Sequence, residues 1–238
     1  MNQASAAVKL RQAAGFSRLL LSDRSVEGLK WIALVCMTLD HVNKYLLGES
    51  VPGLFAVGRV ALPLFALVLA HNLAREGALA QHMHVKLIAR LGLIGAMSCP
   101  AFISLGGVAW GWWPLNIMFT LLAGVAVVAC LARGGKGTTA LALALFMVGG
   151  GLVEFWYLGV GLVVAAWWYY KRRTTLAWMG VIAMLAALAL LNHNFWALAA
   201  LPIVWAVTTL NLRVPRIPYF FYGYYVAHLY VLLLLKQR

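Results

Sequence analysis

An aspartate and a histidine stand side by side, Asp40-His41, inside an apolar run that also carries Asn43 and Lys44. Ionisable groups in such surroundings are costly and lean toward a task. Neighbours on a helix point about 100° apart, so the two serve different faces. Asp40 can pair with Lys44 one turn on. His41 then looks toward another helix, where a neutral imidazole can accept a proton. A second run holds Gly58-Arg59 and Pro63. An arginine placed there needs an acid or an anionic ligand. With Asp40 it forms a structural bridge; the alternative is a guanidinium that holds a phosphate or a developing oxyanion.

The remaining polar positions divide in the same way. Asn116 and Thr120 follow Pro114 and share a helical face. That face either lines a polar cavity or bonds across helices. Glu154 falls in a turn between two apolar runs, where a carboxylate ordinarily meets water. Tyr222, Tyr224 and Tyr225 are of the type that forms aromatic belts at a membrane edge. His228, further along that run, is the second histidine within an apolar segment. His71 falls at the end of a run, His82 and His84 in a loop, and His193 in a turn beside Asn192 and Asn194; none of these is assigned a role. No two histidines have local metal-ligand spacing, so a metal is not expected.

The elements that must position these residues are set by composition. Of 238 residues, 64% are apolar and 11% charged, too few to give a soluble domain its polar shell. The apolar runs are continuous and rich in Ala, Leu and Gly, which favours helices over the alternating strands of a β-barrel. The expected fold is all-α, a polytopic bundle of about nine transmembrane helices near 30–47, 54–74, 86–105, 114–132, 138–153, 156–170, 175–191, 195–211 and 218–235. Two spans in 138–170 must each be short. With the N-terminus inside, alternate segments carry 15 of the 19 Lys and Arg, while Lys44, Arg59, Lys236 and Arg238 remain outside. This matches the positive-inside rule, with a cytoplasmic N-terminus and a periplasmic C-terminus in a bacterial inner membrane.

The net charge of +13 sits mostly in the short gaps between runs. It suits anionic membrane lipids, not nucleic acid. Residues 1–28 read as a basic amphipathic leader on the cytoplasmic membrane surface, without a secretory signal, and 29–238 as one transmembrane domain. Cys36, Cys99 and Cys130 all lie in apolar runs as small core residues. There is no internal repeat and no pair of broken helices of the kind transporters use.

Several stretches, in order, resemble the TraX-type membrane proteins of conjugative transfer systems: LKWIALVCMTLDHVNKYLLG at 29–48, VGRVALPLFALVLAHNL at 57–73 and LNIMFTLLAGV at 115–125, then FWYLGVGLVV at 155–164 and FFYGYYVAHLYVLLLL at 220–235. The last departs from the family's Tyr-Pro-x-His, reading Tyr225-Val226-Ala227-His228. The resemblance implies N-terminal acetylation of conjugative pilin, with a more distant similarity to membrane acyltransferases. Acetyl-CoA would be the acyl donor, and pilin with its pilus-assembly and type IV secretion machinery the partners. His41 would be the base, with His228 second. Asp40 would orient the assembly or offset Arg59. Arg59, Asn116, Thr120, Glu154 and Tyr225 would face substrate, and Arg90, Lys171, Arg172 and Arg173 would attract the coenzyme's phosphates. The competing expectation is a non-enzymatic chaperone that holds pilin for assembly, or acyl transfer to another acceptor.

Overall fold

The computed structural model describes residues 21–210 and 214–238, and their regular elements are helices. Helix α1, Asp23–Tyr45, starts where the Ser22 hydroxyl accepts the Ser25 N–H at 3.1 Å, with Asp23 in its first turn. It therefore begins inside the stretch expected to be leader; residues 1–20 of that leader lie outside the described residues. The second expected segment is two helices, α2 (Pro52–Gly58) and α3 (Ala61–Ala74). Pro63 explains the break. It has no N–H to offer the Arg59 carbonyl, so the ladder stops there and restarts beyond it. Then follow α4 (Met83–Ser104), α5 (Ile117–Arg133), α6 (Lys136–Leu152), α7 (Trp156–Arg172), α8 (Thr175–Ala187) and α9 (Ala189–Asn192). A 3₁₀ turn (Trp196–Ala199) leads into α10 (Ala200–Leu210), and α11 (Phe220–Lys236) closes the order.

These elements fall on the expected segments, and residues 138–170 form two helices, not one. Length separates them. Pro52–Ala74, Met83–Ser104 and Thr175–Asn192 are long and apolar enough to cross a membrane. Ile117–Arg133, Lys136–Leu152, Trp196–Leu210 and Phe220–Lys236 are apolar but shorter. A helix of 17 residues such as α6 rises only about 25 Å, against a hydrocarbon core of about 30 Å. The architecture is that of an all-helical membrane protein.

Helix α3 is the central member, packed on α1, α5 and α7 and burying Leu64, Ala66 and Ala70 completely. In hydrocarbon, helices associate through close packing, and small residues allow it. Gly124 meets Val163 and Gly159 meets Thr120 so closely that a methyl at either position would overlap its neighbour. Helix α11 packs on α1 and α4. Its start is tied to α1 by the Trp31 Nε1–H, which donates to the Pro215 carbonyl at 3.0 Å. Its far end is tied to the end of α4 by Lys236 Nζ, which donates to the Leu105 carbonyl at 2.9 Å.

Candidate functional site

Asp40 and His41 lie in the last third of α1 and, as their adjacency requires, meet different partners. Asp40 turns to Arg59, whose Nη2 reaches its two carboxylate oxygens at 2.6 and 2.8 Å. Both side chains are about 15% exposed. The pairing with Lys44 is not the one made; the Lys44 ammonium lies 5.4 Å from the centre of the Tyr45 ring. Arg59 sits at the break between α2 and α3. The residue before it is Gly58, where a Cβ would fall inside the Asp40 carboxylate. Only a glycine lets α1 come close enough for the bridge. Nη1 of Arg59 reaches Asn192 Oδ1 at 3.4 Å, its plane lies 4.4 Å from the Phe55 ring centre, and its buried Nε has no hydrogen-bond partner.

His41 turns to α11. Its Nδ1 is 2.7 Å from His228 Nε2, with the two rings nearly parallel. His228 Nδ1 in turn lies 2.9 Å from the Tyr224 carbonyl. A carbonyl can only accept, so Nδ1 of His228 carries the proton and its Nε2 is bare when the ring is neutral. His41 must then donate from Nδ1, which leaves its Nε2 as the free lone pair of the pair. The Tyr224 ring stacks on His228, and its hydroxyl is 2.8 Å from the hydroxyl of Thr38, one turn before His41. The arrangement is directional: backbone carbonyl, His228, His41, open nitrogen.

A cavity of about 460 Å³ lies between α1, α3, α4, α5 and α11. Five cations line it: Lys30, Arg75, Lys86, Arg90 and Arg216. Its apolar part is lined by Met37, Met118, Leu121 and Tyr225 among others. Lys30, Leu34 and Met37 follow one face of α1, and the next residue on that face is His41. Tyr225 does the same on α11, one turn before His228. The histidines are not in the cavity wall themselves; Met37 and Tyr225, each one turn away, are.

The other expected residues divide. Tyr225 is buried and its ring touches His228 at 5.4 Å. Glu154 joins the group from the α6–α7 turn. Its carboxylate is within electrostatic reach of Lys44, Arg59, Asp40 and the Ile117 N–H at the start of α5. A short bridge holds that turn: Leu115 N–H to Leu152 O at 2.9 Å and Glu154 N–H to Leu115 O at 2.8 Å. Asn116 and Thr120 are buried but bonded across helices. Asn116 caps α5, accepting the Met118 N–H at 3.1 Å, and its amide donates to the Gly95 carbonyl at 2.9 Å and contacts Cys99 Sγ at 3.5 Å. Thr120 donates to the Glu154 carbonyl. Of the cations expected to meet phosphate, Arg90 lines this cavity, whereas Lys171 and Arg172 line a separate one. Sequence reasoning passed over Thr38, Tyr45 and Asn192. For Asn192 the only signal was its place in a polar turn, beside His193 and Asn194.

A family profile described as TraX protein matches residues 25–236. Protein TraX of Escherichia coli is 32% identical over 219 residues, covering 86% of this chain and 84% of that protein. Protein TraX of Escherichia coli strain K12 is 36% identical over 124 residues, covering 51% of this chain and 46% of that protein. No solved structure matches the chain.

Proposed function

We infer the function from one plain premise: the chain belongs to the TraX family. The reading is a membrane acyltransferase of conjugative pilin maturation, which moves an acetyl group from acetyl-CoA to the pilin N-terminal amine. The observation that carries it is the His41–His228 pair, with one open imidazole nitrogen, one helical turn from Met37 and Tyr225 in the wall of a cavity that five cations also line. A chaperone that only cradles a hydrophobic segment has no use for such an arrangement.

The residues fit the donor. Lys30, Arg75, Lys86, Arg90 and Arg216 suit its phosphates, and the apolar lining toward Met37 and Tyr225 suits its pantetheine arm. When bound, acyl-coenzyme A supplies an activated thioester carbonyl. His41 Nε2 takes the proton as the acceptor amine attacks that carbonyl, and returns it to the departing thiolate sulfur. His228 accepts the His41 Nδ1–H throughout, so it steadies the imidazolium and keeps the ring turned. Arg59, whose guanidinium Asp40 fixes, supplies positive charge that favours the anion developing on the carbonyl oxygen.

The test is the intact mass of pilin co-expressed with the protein. The expected result is a gain of one acetyl group, lost with His41→Ala while the protein still accumulates in membranes. Pilus assembly that depends on the protein with no mass change on pilin overturns the enzyme in favour of a chaperone.

A further inference from the structure

A second cavity, about 1130 Å³, lies between the α3–α4 turn, the end of α5 and the end of α7. It shares Arg75 with the first cavity and otherwise lies outside the proposed reaction. Three cations line it: Arg75, Lys171 and Arg172. Arg75 also meets Asp23 at 3.0 Å, in an exposed pair. The wall holds two polar side chains that are out of place. His84 is 2% exposed, and neither ring nitrogen has a hydrogen-bond partner. The buried Trp167 Nε1 has none either. Buried polar groups are costly to leave unbonded, so such groups call for an explanation. The shape supplies one. Along α7, Val164, Ala165, Trp168, Lys171 and Arg172 share one side of the helix and line the cavity. The cations stand at its end and the apolar residues lead away from them for about 10 Å. Leu131 continues the apolar wall on α5.

We propose that this cavity is a binding site for a phosphate-bearing amphiphile, an anionic phospholipid whose headgroup sits among Arg75, Lys171 and Arg172 and whose chains follow the apolar side of α7. The phosphate oxygens are the acceptors that the His84 and Trp167 N–H groups lack. A free phosphate would satisfy the cations and leave the apolar side unfilled, which is why an amphiphile is favoured.

Native mass spectrometry of the purified full chain tests this, with phosphatidylglycerol, phosphatidylcholine and inorganic phosphate titrated separately. Retention of phosphatidylglycerol at least about tenfold above phosphatidylcholine is expected, since three cations face its headgroup. Lys171→Ala/Arg172→Ala should bring it down to the phosphatidylcholine level. Lys136→Ala/Arg173→Ala, which removes the same charge outside the cavity lining, should leave it unchanged. His84→Phe keeps the ring and removes the nitrogens, and should weaken phosphatidylglycerol alone. Equal retention of the two lipids overturns the proposal, as does equal loss in the two double variants. Inorganic phosphate displacing phosphatidylglycerol at equal concentration overturns the amphiphile.

Discussion

At the scale of single residues, adjacency on a helix gave Asp40 and His41 separate tasks, and the geometry keeps them separate. Asp40 serves the arginine; His41 serves the second histidine. The asymmetry of the histidine pair yields a graded prediction. His41→Ala removes the open nitrogen and should abolish pilin modification, a loss of at least about a hundredfold for a general base. His228→Gln keeps a side-chain group able to accept from His41 Nδ1–H, so it should retain partial activity, while His228→Ala should lose more. Pilin acetylation rates in membranes, normalised to protein level, check the order. Equal loss in all three variants would remove the positioning role of His228. The bridge yields a prediction about stability. Asp40→Ala strands a guanidinium that is about 15% exposed and should destabilise the protein by about 3–5 kcal/mol. Thermal unfolding of the detergent-purified variant, followed by size-exclusion fluorescence, measures it. Asp40→Ala/Arg59→Met should recover most of that loss without recovering activity.

At the scale of elements, the legible part and the hidden part follow from how each is encoded. The apolar periods gave the positions of the helical segments. The break at Arg59 was written in Pro63, yet a proline inside an apolar run can kink a helix as well as end it. The fate of Asn116 was hidden for a similar reason. A face with Asn116 and Thr120 reads equally as cavity lining or as bonds across helices, and only the closeness of the Gly95 carbonyl decides for the bond. Sequence spacing also cannot bring a turn at 154 against residues 40 and 59; the Leu115–Val153 bridge ties that turn to the start of α5, and the packing of the helices does the rest. Gly58 is where element packing meets the site. Gly58→Ala puts a methyl where the Asp40 carboxylate lies, so α1 must move away from α2 or the bridge must open. The expected outcome is a loss of about 1–3 kcal/mol from overpacking together with a fall in activity. The control is Gly53→Ala on the same short helix, where a Cβ meets nothing within 4 Å. Normal unfolding and activity in Gly58→Ala would mean that the bridge tolerates a wider gap between helices.

At the scale of the whole molecule, charge and chain direction agree. The residues that the positive-inside pattern puts on the cytoplasmic side gather at one end: Lys30, Arg75, Lys86, Arg90 and Arg216 around one cavity, and Arg75, Lys171 and Arg172 around the other. Lys236 sits at the opposite end, against the last turn of α4. Helix α11 therefore starts beside the start of α1 and finishes at the far end of the bundle. If the basic end faces the cytoplasm, the chain after Lys236 must face the periplasm. This is the parity that nine crossings require, and the short pair α6 and α7 is where it is most easily broken. A phosphatase fused after Arg238 should be active, and a fluorescent protein fused at the same place should be dark. Fusions after Arg133 and Arg173 should give the reverse pattern, because both positions lie on the basic side. An active phosphatase after Arg173 would mean that α6 and α7 do not make two crossings. Arg75 lines both cavities, so that result would also contradict the packing that puts Lys171 and Arg172 at the same end as Lys30, Lys86 and Arg90.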